Sequence, residues 1–413
     1  MRIGQPANHS GHAGFRAQAS RAGSAYLARA VCRKGPSVRH LPTLAAFLLL
    51  SCAAEAQSTR AAPPSSAQAN PTPDQKAEAA APSNLPVVRL IATGGTIAMK
   101  IDPVKKAPVP AISGEDLVAT VPEIEKVARI EVQNLSNVPS DYMDPDRWVQ
   151  LQRAVTEALA RPEVAGVIVS HGTDTLEETA WFLDLTVAGE KPIVLIGAQR
   201  NASERDFDGP RNLLNAARIC ADPGARGKGA MIALNNNINA ARDAVKTHTS
   251  DVDTFKSGDL GFLGYADSDR VVWYRAPTRR QHVALRALAE GQHLPRVDIV
   301  PMYGGADGTF VRAAIAAGAK GLVIQALGWG NMNIPMFQAV KEAMGKGIPV
   351  AISTRVWTGR VLPNFGFEGG GKTLQQAGAV FADDLSPQKA RILLMLALQT
   401  TSNAQELQRM FDR

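Results

Sequence analysis

The segment His171-Gly-Thr-Asp-Thr-Leu-Glu-Glu-Thr179 packs an imidazole, three threonine hydroxyls and three carboxylates into nine residues. A threonine hydroxyl is a poor nucleophile until a neighbouring group takes or directs its proton, so the company such residues keep decides what they can do. A second concentration is Thr93-Gly-Gly-Thr96, where paired glycines permit a tight turn and close backbone approach. It reads either as a polar turn or as a loop that presents Thr96 as a nucleophile. It is no phosphate loop, because the Gly-Lys-Ser/Thr ending is missing. Ser140-Asp141-Tyr142-Met143 is a third, and Lys246 lies in a fourth, the polar stretch 242–257, which no helix or strand period explains.

The elements that must position these groups are legible on either side of them. Residues 164–170, Val-Ala-Gly-Val-Ile-Val-Ser, form a nearly unbroken apolar run, the signature of a parallel strand covered on both faces. Residues 177–187 open with acids and continue with Trp181, Phe182 and Leu185, so a helix follows with carboxylates at its positive end. The polar cluster therefore sits at the carboxyl end of a strand, where open α/β sheets place their ligands. Residues 87–92 predict a strand leading into Thr93, and residues 130–138 another leading into Ser140. Asp146 is expected to cap an amphipathic helix that buries Trp148, Leu151, Val155 and Leu159. Residues 99–112, with three lysines and three prolines, read as a mobile loop able to cover the site.

Repetition of strand, loop and helix (strand 191–198, helix 211–219, strand 229–235) predicts a larger N-terminal domain over residues 87–277, a parallel sheet with helices on both faces. After a linker at residues 278–295, residues 296–413 repeat the pattern in a smaller C-terminal α/β domain. Strands are expected at 296–302, 321–326 and 348–354, and helices at 310–317, 336–345, 388–399 and 404–411.

The chain has 413 residues and a net charge of +7. Residues 1–56 carry seven basic side chains against the single acid Glu55, which leaves +1 for the rest. No basic stripe interleaved with aromatics occurs, so nucleic acid is not an expected partner. Arg33, Lys34 and Arg39 precede the apolar stretch 41–50 and Ala54-Glu55-Ala56, the pattern of a secretory signal too short to span a bilayer. The basic region ahead of it is longer than such signals need, which leaves room for a translation start downstream of Met1. Leu49-Leu-Ser-Cys52 also resembles a lipobox, so the alternatives are a free periplasmic protein and one lipid-anchored through Cys52. Residues 57–86, rich in Ala, Pro and Ser, read as a disordered tether. After cleavage at Ala56 only Cys220 remains, and no intrachain disulfide can form.

Three long segments, Ile91-Ala-Thr-Gly-Gly-Thr-Ile-Ala98, His171-Gly-Thr-Asp-Thr-Leu-Glu-Glu-Thr-Ala180 and Arg242-Asp-Ala-Val-Lys246, resemble in this order the bacterial-type L-asparaginases and glutaminase-asparaginases. The likeness runs from about Val87 to the end, through Ser386-Pro-Gln-Lys-Ala-Arg391, and with the secretory signal suggests the periplasmic, type II branch. It implies that Thr96 attacks the side-chain amide to give an acyl-enzyme. It implies that Thr173, held by Lys246 and Asp174, is the second hydroxyl. Asp174 would also accept the substrate's α-ammonium and Ser140 would donate to its α-carboxylate, with Asp141, Gly95 and backbone near Ala198 completing the contacts. A homotetramer with sites shared between partners is implied as well.

The departures from the family pattern are equally specific. The tyrosine usual in the family's mobile loop is missing, Ala107 or Pro108 standing near its place, and Tyr142 is the nearest phenol that could replace it. Trp329 occupies the place of an asparagine that serves the neighbouring subunit's site, so Asn331 or Asn333 is the substitute, with Glu368 the nearest acid. Three readings follow: an asparaginase, a glutaminase-asparaginase acting on either amide, and an amino-acid binding protein of the same fold. No metal or other cofactor is implied, since His171, His248, His282 and His293 lack ligand spacing and no glycine-rich segment has a nucleotide fingerprint.

Overall fold

In the computed structural model, residues 84–278 and 280–412 are described. The stretch 1–56 read as a secretory signal, with Cys52, and most of the stretch read as a tether lie outside them. The N-terminal domain starts with β1 (Val87–Gly94), followed by a hairpin of β2 (Met99–Ile101) and β3 (Pro108–Pro110) and by helix α1 (Gly114–Ala119). Then come β4 (Arg129–Val138), α2 (Pro145–Ala160), β5 (Val164–Ser170), α3 (Leu176–Thr186), β6 (Ile193–Ile196), α4 (Gly209–Ala221) and β7 (Ala230–Leu234). The remaining strands are β8 (Asn237–Ala240), β9 (Val245–Lys246), β10 (Phe255–Lys256), β11 (Gly264–Ala266) and β12 (Val271–Trp273).

Eight strands form one sheet in the order β12-β11-β8-β7-β6-β5-β1-β4. From β4 to β7 the pairing is parallel, and β8, β11 and β12 extend it antiparallel. The strong apolar runs fall in the parallel part because both faces there are covered. Val167 and Val169 enter one core with α2 and α3, whereas Ile168 enters the opposite core with α4. The period-2 pleat thus turns a continuous apolar run into two cores.

The C-terminal domain comprises β13 (Val297–Pro301), α5 (Thr309–Ala316), β14 (Gly321–Ala326), α6 (Ile334–Gly345), β15 (Val350–Thr354), α7 (Gly371–Gln376), β16 (Val380–Phe381), α8 (Pro387–Ala397) and α9 (Ala404–Phe411). Its four strands are parallel in the order β13-β14-β15-β16. Helix α8 belongs to the same apolar core as α2 and α3, so that core runs continuously from one domain into the other. The Trp181 indole seals the contact by donating to the Lys389 carbonyl at 3.1 Å. Residues 278–295 contain no helix or strand among those described. They nevertheless lie against this core through Val283, Leu285 and Leu288.

Several local expectations change. Asp144, not Asp146, caps α2: its carboxylate accepts from Arg147 N at 2.9 Å, and Pro145 takes the first helical position, where no N–H is needed. Residues 99–112 form a hairpin in place of an irregular loop, with Pro108 and Pro110 on a two-stranded ribbon whose outer edge asks for no donor. The stretch 242–257 contains a second short ribbon, β9 pairing antiparallel with β10. Strands this brief are invisible to a periodicity search, because two or three residues define no period.

Candidate active site

The carboxyl ends of β1, β4, β5 and β6 converge, and glycines let them. Gly95 has φ +83°, and a β-carbon on it would stand 2.2 Å from both N and Cα of Gly172. A β-carbon on Gly172 would meet the Ser140 side chain at 2.8 Å, and one on Gly197 would meet Thr173 Cγ2 at 2.8 Å. The first contact is backbone against backbone and the other two bring a side chain against a glycine, spacings that a β-carbon would forbid. Hydrogen bonds fix them. Gly95 N donates to Val138 O at 2.9 Å, Thr93 Oγ1 to Ser170 O at 2.8 Å, and Thr175 Oγ1 to Ser140 O at 2.8 Å. Asn212 of α4 holds the end of β6 by donating to Gly197 O at 3.0 Å.

Thr96 opens a short 3₁₀ turn directly after Gly95 and is partly accessible. Thr173, Ser140 and Ala198 are buried on the neighbouring loops. Lys246, on β9, reaches across to them: its Nζ donates to Thr173 Oγ1 at 2.9 Å and to Asp174 Oδ1 at 2.5 Å. The Lys246 side chain is only 14% exposed, whereas that of Asp174 is 60% exposed. The ammonium is thus held at the floor, and the carboxylate still faces incoming solutes. An open cleft of about 240 Å³ lies beside this pair, lined by Asp174, Lys246, Thr247, His248 and Thr249.

His171 stands behind the loop in a closed chain of bonds. Its Nδ1 lies 2.7 Å from Gly172 O, and its Nε2 lies 2.9 Å from Thr179 Oγ1. Trp148 Nε1 donates to that same hydroxyl at 2.9 Å. For a neutral imidazole the three bonds run one way: indole N–H to hydroxyl, hydroxyl to Nε2, and Nδ1–H to carbonyl. Full burial lowers its pKa to about 4, against a smaller opposing effect of the Gly172 bond. His171 is accordingly a structural strut of the Gly172–Thr173 turn.

Glu177, read from the sequence only as a helix-start acid, accepts from Lys246 N at 2.6 Å. Burial pushes its carboxyl up, while Lys389 and the Lys246 N–H pull the other way. A sequence search for helix-end acids could not assign it this task, because its partner is 69 residues away.

The more distant candidates fall elsewhere. Asp141 and Tyr142 lie in a 3₁₀ turn after β4, and Tyr142 is 62% exposed, its phenol without a hydrogen bond to any described residue. Asn333 is occupied as the cap of α6, its side chain accepting from Met336 N at 3.0 Å and donating to Ala306 O at 2.6 Å. Asn331 accepts from Gly371 N at 3.3 Å, and Glu368 accepts from Gln338. Trp329 is 47% exposed and packs on Phe365 at 5.8 Å, in a row continued by Phe367. Within this chain, none of the four, Asn331, Asn333, Glu368 and Trp329, bonds to Thr96, Thr173, Asp174 or Lys246.

Fold and site together define a two-domain α/β protein whose polar cluster of hydroxyls, lysine and carboxylate lies at the carboxyl edge of a parallel sheet. Residues 87–279 match the family model described as Asparaginase, N-terminal, and residues 296–411 match the Glutaminase/Asparaginase C-terminal domain. The chain is 36% identical over 373 residues to L-asparaginase 2 of Bacillus subtilis, covering 89% of this chain and 96% of that one. It is also 36% identical over 335 residues to a probable periplasmic L-asparaginase of Haemophilus influenzae, covering 80% and 93%. A crystal structure of a probable cytoplasmic L-asparaginase from Campylobacter jejuni superposes with a TM-score of 0.72 at 35% identity, over 79% of this chain and 99% of that one. The chain belongs to the asparaginase family.

Proposed function

We propose that this protein hydrolyses L-asparagine to L-aspartate and ammonia through a threonine acyl-enzyme. The observation that carries the reading is the bond of 2.9 Å from Lys246 Nζ to Thr173 Oγ1, with Asp174 bound to the same ammonium. Thr96 Oγ1 attacks the carboxamide carbon, its proton passes to the departing nitrogen, the C–N bond breaks and ammonia leaves. Water then attacks the resulting ester, and the threonine oxygen recovers a proton as aspartate departs. In both halves a hydroxyl must lose a proton near pH 7, and a lysine-bound second hydroxyl supports that transfer. Backbone N–H groups at the convergent turns supply donors for the oxyanion. Exposed Asp174 fits the α-ammonium, Ser140 fits the α-carboxylate, and backbone near Thr173 and Ala198 fits the oxyanion and the amide. Tyr142, exposed and unbonded, is the phenol available to Thr96 in place of the missing loop tyrosine.

Activity on L-glutamine is the second reading, favoured by the C-terminal family model, whose description names both amides. One methylene in a pocket discriminates by only ~1–3 kcal/mol, so the two readings are separated by a ratio of kcat/KM and not by presence or absence. The aromatic row Trp329, Phe365 and Phe367 suits burial against a second subunit, consistent with a homotetramer in which Asn331, Asn333 or Glu368 serves a neighbour's site. The periplasm is the location that the signal at 1–56 supports. Among the described residues no helix is long and apolar enough to cross a membrane.

The deciding experiment measures ammonia release by residues 57–413 from L-Asn, L-Gln and their D-forms, beside Thr96→Ala. Release that vanishes in the variant supports the acyl-enzyme route, and the Asn-to-Gln ratio ranks the two amides. Binding of L-Asn without release from any amide would overturn both in favour of an amino-acid binding protein. Sedimentation of the same sample reads the number of subunits.

A further inference from the structure

The lysine at the centre of the site rides on a strand of only two residues, β9, which has too few bonds of its own to hold an ammonium in place. Its backbone is gripped instead by charged groups from two domains. Glu177, in the first turn of α3, accepts from Lys246 N at 2.6 Å. Lys389, on α8 of the C-terminal domain, extends its Nζ to Arg242 O at 2.7 Å and to Ala244 O at 2.5 Å. Lys389 is 1% exposed. The bond from Trp181 Nε1 to Lys389 O joins the two helices that carry the two jaws.

We propose that Lys389 and Glu177 form a clamp on residues 242–246, acting as positioning residues that set where the Lys246 ammonium stands relative to Thr173 and Asp174. Neither touches Thr96, Thr173 or Asp174, so neither is a catalytic residue. A fully buried ammonium is costly, and a purely apolar side chain would fill the same volume more cheaply unless its charge were needed for its bonds. Here the charge has opposite partners in Glu177, Asp243 and Asp384, and two of its N–H groups meet carbonyls two and four residues before Lys246. Loss of the clamp leaves those carbonyls unbonded, and slack in a two-residue strand passes directly to the side chain it carries. The C-terminal domain would thereby take part in the chemistry of its own chain as well as in packing.

This inference rests on Lys246 acting in the reaction, and the experiment separates the two. The full-length protein and the variants Lys389→Met, Glu177→Ala, Trp181→Phe and Lys246→Met are compared for kcat and KM on L-Asn and for Tm. The clamp predicts that Lys389→Met and Glu177→Ala each lower kcat about ten- to hundredfold with KM within about twofold, the signature of a misplaced group. Trp181→Phe, which loosens the same helix contact without releasing β9, should lower Tm and leave kcat near wild type. Unchanged kcat in folded Lys389→Met, or an equal loss in Trp181→Phe, overturns the clamp. If Lys389→Met does not fold, unchanged kcat in Glu177→Ala overturns it. A Lys246→Met variant with full kcat would instead defeat the reading of the site itself.

Discussion

A β-carbon added to Gly95 would lie 2.2 Å from the Cα of Gly172, so the loop bearing Thr96 and the loop bearing Thr173 meet at a distance only two glycines allow. Gly95 also has φ +83° and ψ −177°, a region that residues with side chains do not populate at ordinary cost. Gly95→Ala must therefore push the loops apart. Expected is a loss of about 2–4 kcal/mol in stability, from overpacking and backbone strain together. Activity of the folded fraction should fall at least about a hundredfold, because the two hydroxyls lose register. Urea denaturation and kcat on L-Asn check both. A Gly95→Ala protein with native stability would contradict the close approach.

Lys246→Arg preserves charge but not geometry. The ammonium points single N–H groups at Thr173 Oγ1 and Asp174 Oδ1 from a side chain only 14% exposed. A guanidinium is planar and larger, and cannot reproduce both bonds in that volume. We expect kcat to fall by about two orders of magnitude, in the range found for loss of one proton-transfer partner. Steady-state kinetics with L-Asn measure it, and retention of more than half the wild-type kcat would show that only the charge matters.

The His171 strut carries a pH signature. Its folded pKa, about 4, lies below the value near 6.5 of an unfolded chain. Between these limits the unfolded state binds the extra proton, so this contribution is complete above pH 6.5 and is lost as pH falls toward 4. The ceiling is about 3 kcal/mol. Buried Asp184, with its carboxyl raised to about 6, acts in the opposite direction over much of the same window. The test is thus a difference: the stability advantage of wild type over His171→Gln should shrink between pH 7 and pH 4.5 by urea melts. An advantage independent of pH would mean that the imidazole is not held neutral. Thr179→Val, which leaves both Trp148 Nε1 and His171 Nε2 without partners, should cost about 2–4 kcal/mol at pH 7.

Tyr142 offers a narrower test. Its phenol is exposed and unbonded, so Tyr142→Phe should leave Tm within about 1 °C, as surface changes usually do. If the phenol serves Thr96, kcat should drop about tenfold at the same time, the lower end of what a proton-transfer partner contributes. Unchanged kcat would assign Tyr142 to the surface and leave the missing loop tyrosine without a replacement.

Much of this protein could be read along the chain. β5 and β14 begin and end where their apolar runs do, and α9 matches its amphipathic period. The reason is that long elements buried on a face must write that face into consecutive residues. Thr96, Thr173 and Asp174 stand out too, as polar residue types concentrated at strand ends, whereas Lys246 lies in a stretch without a local period and is singled out only by the family resemblance. What the sequence could not determine was assembly across distance. The pairing of Asp174 with Lys246 across a separation of 72 positions, the antiparallel edge β8-β11-β12 and the two-residue ribbon under Lys246 follow from packing, where no local period exists. Lys389 shows the limit most clearly. In sequence it is one cation in an amphipathic helix, and only the fold, by burying it against the carbonyls of Arg242 and Ala244, made it part of the support for a site 143 residues away. A buried charge must find its partners wherever the chain brings them, and that is decided in three dimensions.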